Sequence, residues 1–445
     1  MASRKDQASV SEKGNLKWWQ LSLLGVGCII GTGFFLGTGI GIKTAGPSIL
    51  IAFIIAAFST YVVFDALARL TAEHPEKGSF CAYANHAFGR WAGFSNGWMY
   101  WSAEILITGS QLTALGLFTR FWFPHLPLWM LATVYAVLGL IVVFIGTNGF
   151  EKVENVMAVI KVLGILMFIV IAALALFGIF GYHGKKPDLS LDFQSFFPNG
   201  MTGLWSALIF AFYTFGGIEI MGMMANELKD PKDGPKAGKV MLSLLATIYL
   251  LAVGLAVLLV PWTRFNTKES PFVIALADYH LSFVPHAFNA ILIIAGFSTM
   301  AASLFAVTNL LVTLSETGDA PKVFAKKGKY KVSLPALGVT AGGLAFSIIM
   351  SLLLPEKIYE HITTAAGLML LYTWTLILFS FKKLMKLKPA DNIKGLISLL
   401  FIWLAISGTL FEKTSRPGLF ISIGFLVIIA AATLIMSRRW KTSKT

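Results

Sequence analysis

The stretch Gly25-Val26-Gly27-Cys28-Ile29-Ile30-Gly31-Thr32-Gly33-Phe34-Phe35-Leu36-Gly37 lies inside a window, Trp18 to Ile42, that holds no charged residue. A helix crosses a hydrocarbon core with about 20 apolar residues, so this window is long enough to span a membrane. Its five glycines in thirteen residues argue against an uninterrupted helix, since each interior glycine costs about 1 kcal/mol against alanine. A break at Gly31 to Gly33 would free backbone N–H groups at a new helix N-terminus near the bilayer midplane. Such amides, together with the helix dipole, bind an anion such as a carboxylate. The plainer alternative is close helix packing through Gly27 and Gly31, four residues apart. A dinucleotide loop is a poor rival: the spacing is G-x-G-x-x-x-G, with no βαβ unit around it.

The rest of the chain extends this reading. It has 445 residues, 56% of them hydrophobic and 13% charged. Soluble domains carry roughly 25% charged residues, and that excludes a cytosolic enzyme, a disordered chain or a disulfide scaffold. A second window runs over 44–64. Further apolar segments lie near 91–119, 127–146, 155–180, 201–225, 239–261, 286–315, 334–354, 359–381, 395–411 and 418–436. These twelve predict an all-α integral membrane protein, because backbone groups in lipid must be satisfied within the segment. The first window is too long for a signal-peptide core and no A-x-A site follows it, so it is expected to be retained. Cys28, in an apolar run, and Cys81, read as loop, are not expected to bridge.

The net charge of +14 does not indicate nucleic acid, because the basic residues cluster between apolar runs. Of the 36 Lys and Arg, 26 fall in the connections on the side of the termini and 9 on the other side. The positive-inside rule then predicts both termini in the cytoplasm and a multi-pass protein of the cell membrane. The expected organisation is a cytoplasmic tail over 1–17, five spans over 18–180, five more over 201–381, two over 395–436, and a cytoplasmic tail over 437–445.

A second interruption is predicted in the sixth window. Phe210-Ala-Phe-Tyr213-Thr214-Phe215-Gly216-Gly217-Ile218-Glu219 places a Gly-Gly pair and a carboxylate at mid-membrane. This is costly in a plain helix, and makes sense if the helix unwinds and Glu219 accepts from the freed amides. Two interrupted spans in corresponding places point to an inverted repeat of spans 1–5 and 6–10, with a binding site at the midplane. Intramembrane charges are few, and each is a functional candidate because insertion costs at least ~2.5 kcal/mol. Glu104 either faces a pathway or is a hydrogen-bonded carboxylate between helices. Lys161 either snorkels to the cytoplasmic face or is a desolvated amine that carries a proton or stays a fixed cation. Asp65 and Arg69, four apart, read as a helix-face ion pair. Ser298 and Thr299 either bond back to their own helix or help coordinate an ion. There is no Walker motif, no H-E-x-x-H and no Cys/His ligand spacing, so neither ATP-driven transport nor enzymatic chemistry is expected.

These residues resemble a known family. Ile30-Gly31-Thr32-Gly33-Phe34-Phe35-Leu36-Gly37 is similar to the first-helix signature of bacterial amino-acid permeases of the amino acid–polyamine–organocation superfamily. So are Ala45-Gly46-Pro47-Ser48, the run from Pro75 through Gly78, Ser79 and Tyr83, and Gly97-Trp98-Met99-Tyr100-Trp101. Phe215-Gly216-Gly217-Ile218-Glu219 with Asn226-Glu227-Leu-Lys-Asp230-Pro231, then Ser270-Pro271-Phe272-Val273 and Gly318-Asp319-Ala320-Pro321-Lys322, continue the likeness in order over roughly residues 15–390. The resemblance implies a LeuT-like fold in which helices one and six unwind around an α-amino acid. The substrate carboxylate would meet Gly31, Thr32 and Gly33, and its ammonium group the backbone around Phe215, Gly216, Gly217 and Ile218. Some relatives are similar around Val159-Ile160-Lys161, which makes Lys161 a proton-coupling candidate. This chain departs from the pattern at Ala68-Arg69, Glu104, Gln111 and Asn309, which bears on the cytoplasmic gate and on substrate preference.

The expectation is therefore a secondary transporter that imports an amino acid by proton symport with alternating access. Amino-acid exchange stays open within that class, as does a transporter-like amino-acid sensor outside it. No cofactor and no metal are expected, the proton being the coupling ion and sodium the other ion left open. The expected partners are a small amino acid and the lipid bilayer, with no nucleic acid and no oligomeric partner indicated.

Overall fold

The computed structural model describes residues 16–76, 78–145, 147–180, 192–279, 281, 283–326, 332–353 and 357–442. Most of the N-terminal tail, several basic residues of the charge count (Lys77, Lys185, Lys186, Lys327, Lys329 and Lys331 among them) and residues 443–445 lie outside this set. Within it the protein is all-α. Leu16 and Leu228 form an isolated parallel bridge.

The helices, in order, are α1 (Trp18–Ile29), α2 (Thr38–Ala45), α3 (Ile49–Glu73), α4 (Phe80–Phe88), α5 (Arg90–Thr119), α6 (Leu128–Ile145) and α7 (Thr147–Leu176). They continue with α8 (Phe193–Phe196), α9 (Gly200–Tyr213), α10 (Ile218–Met224), α11 (Gly234–Leu259), α12 (Pro271–Leu276) and α13 (Val284–Glu316). The last four are α14 (Leu334–Leu353), α15 (Ile358–Leu384), α16 (Pro389–Gly408) and α17 (Arg416–Thr442). Proline opens α11, α12, α13 and α16 in the first turn, where its missing N–H has no partner to lose. Helix α17 runs six residues past the predicted end of the last span. Cys81, expected in a loop, is buried on α4.

Eight helical segments among the described residues are long and apolar enough to cross a membrane. The remaining predicted windows fall on helices with identifiable reasons for missing that measure. α1–α2 and α9–α10 are interrupted. α5 buries Ser102, Glu104, Thr108, Ser110, Gln111 and Thr113 along its length, and the side chains of α14 are described only over Leu334–Met350.

Burial separates a core from a rim. The apolar stretch of α15 is 83% buried, whereas those of α16 and α17 are 17% and 22% buried. α15 packs against α5 and α9, and α5 also packs against α13. The exposed side chains of the rim are large and apolar, Leu396, Leu400 and Trp403 on α16 and Val427 and Ile428 on α17. That is the pattern of a lipid-facing surface.

Candidate functional site

α1 ends at Ile29, and Ile30 turns to an extended backbone at φ −65°, ψ 111°. The chain restarts as a widened π-helical turn over Gly33–Gly37 that leads into α2. The amides of Phe34 and Phe35 both reach back to the Gly31 carbonyl, at 3.1 and 3.0 Å. The extended residue takes the following amides out of line with the carbonyls of α1, which is how a helix start acquires unpaired donors. π-turns of this kind are frequent at functional sites.

The second interruption is equally local. α9 ends at Tyr213 and α10 begins at Ile218. Between them Gly217 takes φ +108°, which side chains with a Cβ rarely adopt. Glu219 is fully buried. Its Oε2 accepts the Gly217 N–H at 3.0 Å, and its Oε1 accepts the indole N–H of Trp374 on α15. The carboxylate therefore meets the amide of Gly217, between the two helices.

The two breaks lie against each other. A Cβ at Gly217 would be 3.5 Å from Ile29 Cγ1, and one at Gly33 would be 3.0 Å from the ring of Tyr213. α13 closes over the first break, since a Cβ at Gly31 would be 2.7 Å from Thr299. Thr299 Oγ1 bonds back to Ala295 and Gly296, both at 3.1 Å. Two tyrosines close the other side. Tyr213 and Ser110 on α5 share a 2.6 Å hydrogen bond, and the Tyr359 hydroxyl donates to the Thr32 carbonyl at 3.0 Å. Phe215 is buried, its ring packed on Tyr249 and Phe53. Glu104 is buried on α5 with no hydrogen bond to its Oε2, and Gln111 Oε1 two turns further along is also unpaired.

Lys161 is fully buried and does not snorkel. Its Nζ donates to Glu154 Oε1 at 3.2 Å, two turns earlier on the same face of α7. Ser298 on α13 donates to Glu154 Oε2 at 2.5 Å, and the Cys28 thiol on α1 donates to Oε1 at 3.8 Å. A buried ion pair thus joins α1, α7 and α13 beside the first break. Sequence reasoning missed Glu154 because the fifth window was started at 155. Tyr359 and Trp374 carried no sequence signal. Asp65 and Arg69 do pair, at 3.5 Å, and Arg69 also reaches Asp391 on α16 at 3.1 Å. Among the described residues no group of three His, Cys, Asp or Glu side chains is placed to hold a metal ion.

Comparison with known proteins follows the same lines. A family model described as Amino acid permease matches residues 20–434. The chain is 58% identical over 437 residues to the uncharacterized transporter YcgH of Bacillus subtilis (strain 168), covering 98% of this chain and 97% of that one. It is 28% identical over 444 residues to the aromatic amino acid transport protein AroP of Escherichia coli (strain K12), and equally so to the AroP of Salmonella typhi, covering 97% of each chain.

Proposed function

The chain belongs to the amino acid permease family, and from that premise we propose that it imports an α-amino acid across the cytoplasmic membrane by proton symport. It is a multi-pass membrane transporter, not an enzyme. The reading takes the two apposed breaks as the substrate site of a LeuT-like, twelve-span fold, with repeats over 18–180 and 201–381 and the two rim helices appended. Both termini face the cytoplasm in this reading, supported by the basic residues on their side of the chain.

In this site the substrate carboxylate meets the amides of Gly31, Thr32 and Gly33. Its ammonium group meets backbone carbonyls over Phe215, Gly216, Gly217 and Ile218. Glu219 holds the second break in shape, and Glu104 faces the substrate from α5. Lys161 carries the coupling charge, with Ser298 and Thr299 relating it to the break. The observation that carries the reading is the contact between the two breaks, Ile29 on Gly217 and Tyr213 on Gly33. Discontinuous helices that meet at mid-membrane form the binding sites of alternating-access transporters. The names of the AroP relatives put aromatic amino acids first among the substrates to try.

Exchange without a proton is the second reading. The observation in its favour is the Lys161–Glu154 ion pair, which lets the lysine serve as a fixed cation. Proteoliposomes separate the two. Labelled amino acids are offered to empty vesicles under an inward proton gradient, then to preloaded vesicles without one. Gradient-dependent uptake into empty vesicles is expected. Uptake into preloaded vesicles alone would make the protein an exchanger.

A further inference from the structure

A cavity of 260 Å³ lies among the ends of α2, α9 and α15 and the α16–α17 connection, on the side away from the termini. Its lining brings together Lys43, Glu360 and Glu412. Lys43 is exposed at the end of α2, Glu412 is half-buried in the α16–α17 connection, and Glu360 is 8% exposed in the first turn of α15. Among the described residues none of the three makes an ion pair. Glu360 lies beside Thr267 and feels the charges of Lys43, Lys357 and Glu412. Glu412 accepts the Thr414 N–H and hydroxyl at 3.4 and 3.3 Å through one oxygen, Oε1. A positive and two negative side chains thus face one water-accessible cavity without neutralising each other.

Its position relates it to the breaks. Ile40 and Ser206, both in the lining, stand seven residues from Gly33 and Tyr213 respectively, about 10 Å along each helix. The partition between is made by Tyr213 and Tyr359, which close on Gly37. A Cβ at Gly37 would be 3.6 Å from the Tyr359 hydroxyl and 3.9 Å from the Tyr213 ring. Tyr359 is the chain neighbour of Glu360 and holds the Thr32 carbonyl. A group that draws on Glu360 therefore acts one residue from the hydroxyl that closes the first break.

We propose that this cavity is an outer receiving site for the zwitterionic head of an α-amino acid, Lys43 taking the carboxylate and Glu360 with Glu412 taking the ammonium group. It rests on the transport reading above, and adds to it a first stop before the tyrosines part. The pairing uses opposite charges held apart in the protein and brought together only through the ligand.

The test is transport kinetics in vesicles of known sidedness, with each of the twenty proteinogenic amino acids as probe in turn. Lys43→Gln and Glu412→Gln are expected to raise the outer-face KM at least five-fold with Vmax unchanged, to leave the inner-face KM unaltered, and Lys43→Arg to restore the outer value. An outer KM within two-fold of wild type in both Gln variants overturns the proposal, as does an equal rise on both faces. If the unaltered protein moves no amino acid in either direction, the transport reading fails and the receiving site fails with it.

Discussion

A side chain at Gly31 would run into the Thr299 side chain at 2.7 Å, so the first break accepts no Cβ unless Thr299 gives way. Overpacking of this kind costs about 1–3 kcal/mol. Gly31→Val is expected to abolish amino-acid binding while the protein still folds, as read by equilibrium binding and size-exclusion elution in detergent. Binding of wild-type strength would remove the break from the site. The Lys161–Glu154 pair sets a second residue-scale expectation. Lys161→Ala alone leaves a buried carboxylate with Ser298 and Cys28 as its partners among the described residues, and breaking such a pair costs about 3–5 kcal/mol. The single variant is therefore expected to lose stability. Lys161→Met with Glu154→Gln regains it but no longer concentrates substrate on a proton gradient. Gradient-driven uptake of wild-type steepness in the stable double variant would refute the coupling role. Lys161 could be singled out from one sequence because an intramembrane charge is costly wherever it points. Its partner could not, because pairing depends on the two carboxyl and amine groups lying on one buried face.

At the scale of elements, the second break depends on Glu219 holding the Gly217 N–H and the Trp374 indole at once. Glu219→Ala leaves both donors buried and unsatisfied, at about 1–3 kcal/mol each. Glu219→Gln leaves an amide that cannot accept from both. The expected order of thermal stability is wild type, then Gln, then Ala, measured by detergent melting. An Ala variant as stable as wild type would mean that the break holds itself. Both breaks could be anticipated from glycine density and the Gly-Gly-x-Glu run, since these are local backbone effects. The π-turn over Gly33–Gly37 could not, because it reflects the packing of that turn against Tyr213 and Tyr359. The polar length of α5 was legible as residues, whereas its burial between α13 and α15 was not.

For the whole molecule, the charge asymmetry predicts orientation, and two exposed lysines report it. Lys388 precedes α16 and Lys413 follows it. Lys413→Cys is expected to react with an impermeant maleimide on intact cells, and Lys388→Cys only after permeabilisation. Cys81 is buried and Cys28 is packed on Glu154, so the native thiols add little background. The reverse labelling pattern would invert the protein and move the receiving cavity to the cytoplasmic face.

Composition and hydropathy were enough to determine a helical membrane protein, because in lipid every backbone group must find its partner within its own segment. Glycine placement was enough to locate the two interruptions, because helix propensity is paid residue by residue. The tertiary structure alone decided that the interruptions touch, that the Glu154 paired with Lys161 also accepts from Ser298, and that two tyrosines stand between the breaks and a charged cavity. The apposition of the breaks, the Ser298–Glu154 bond and the tyrosine contacts join helices distant in the chain, and such contacts are set by packing, which leaves no period or spacing in a single sequence.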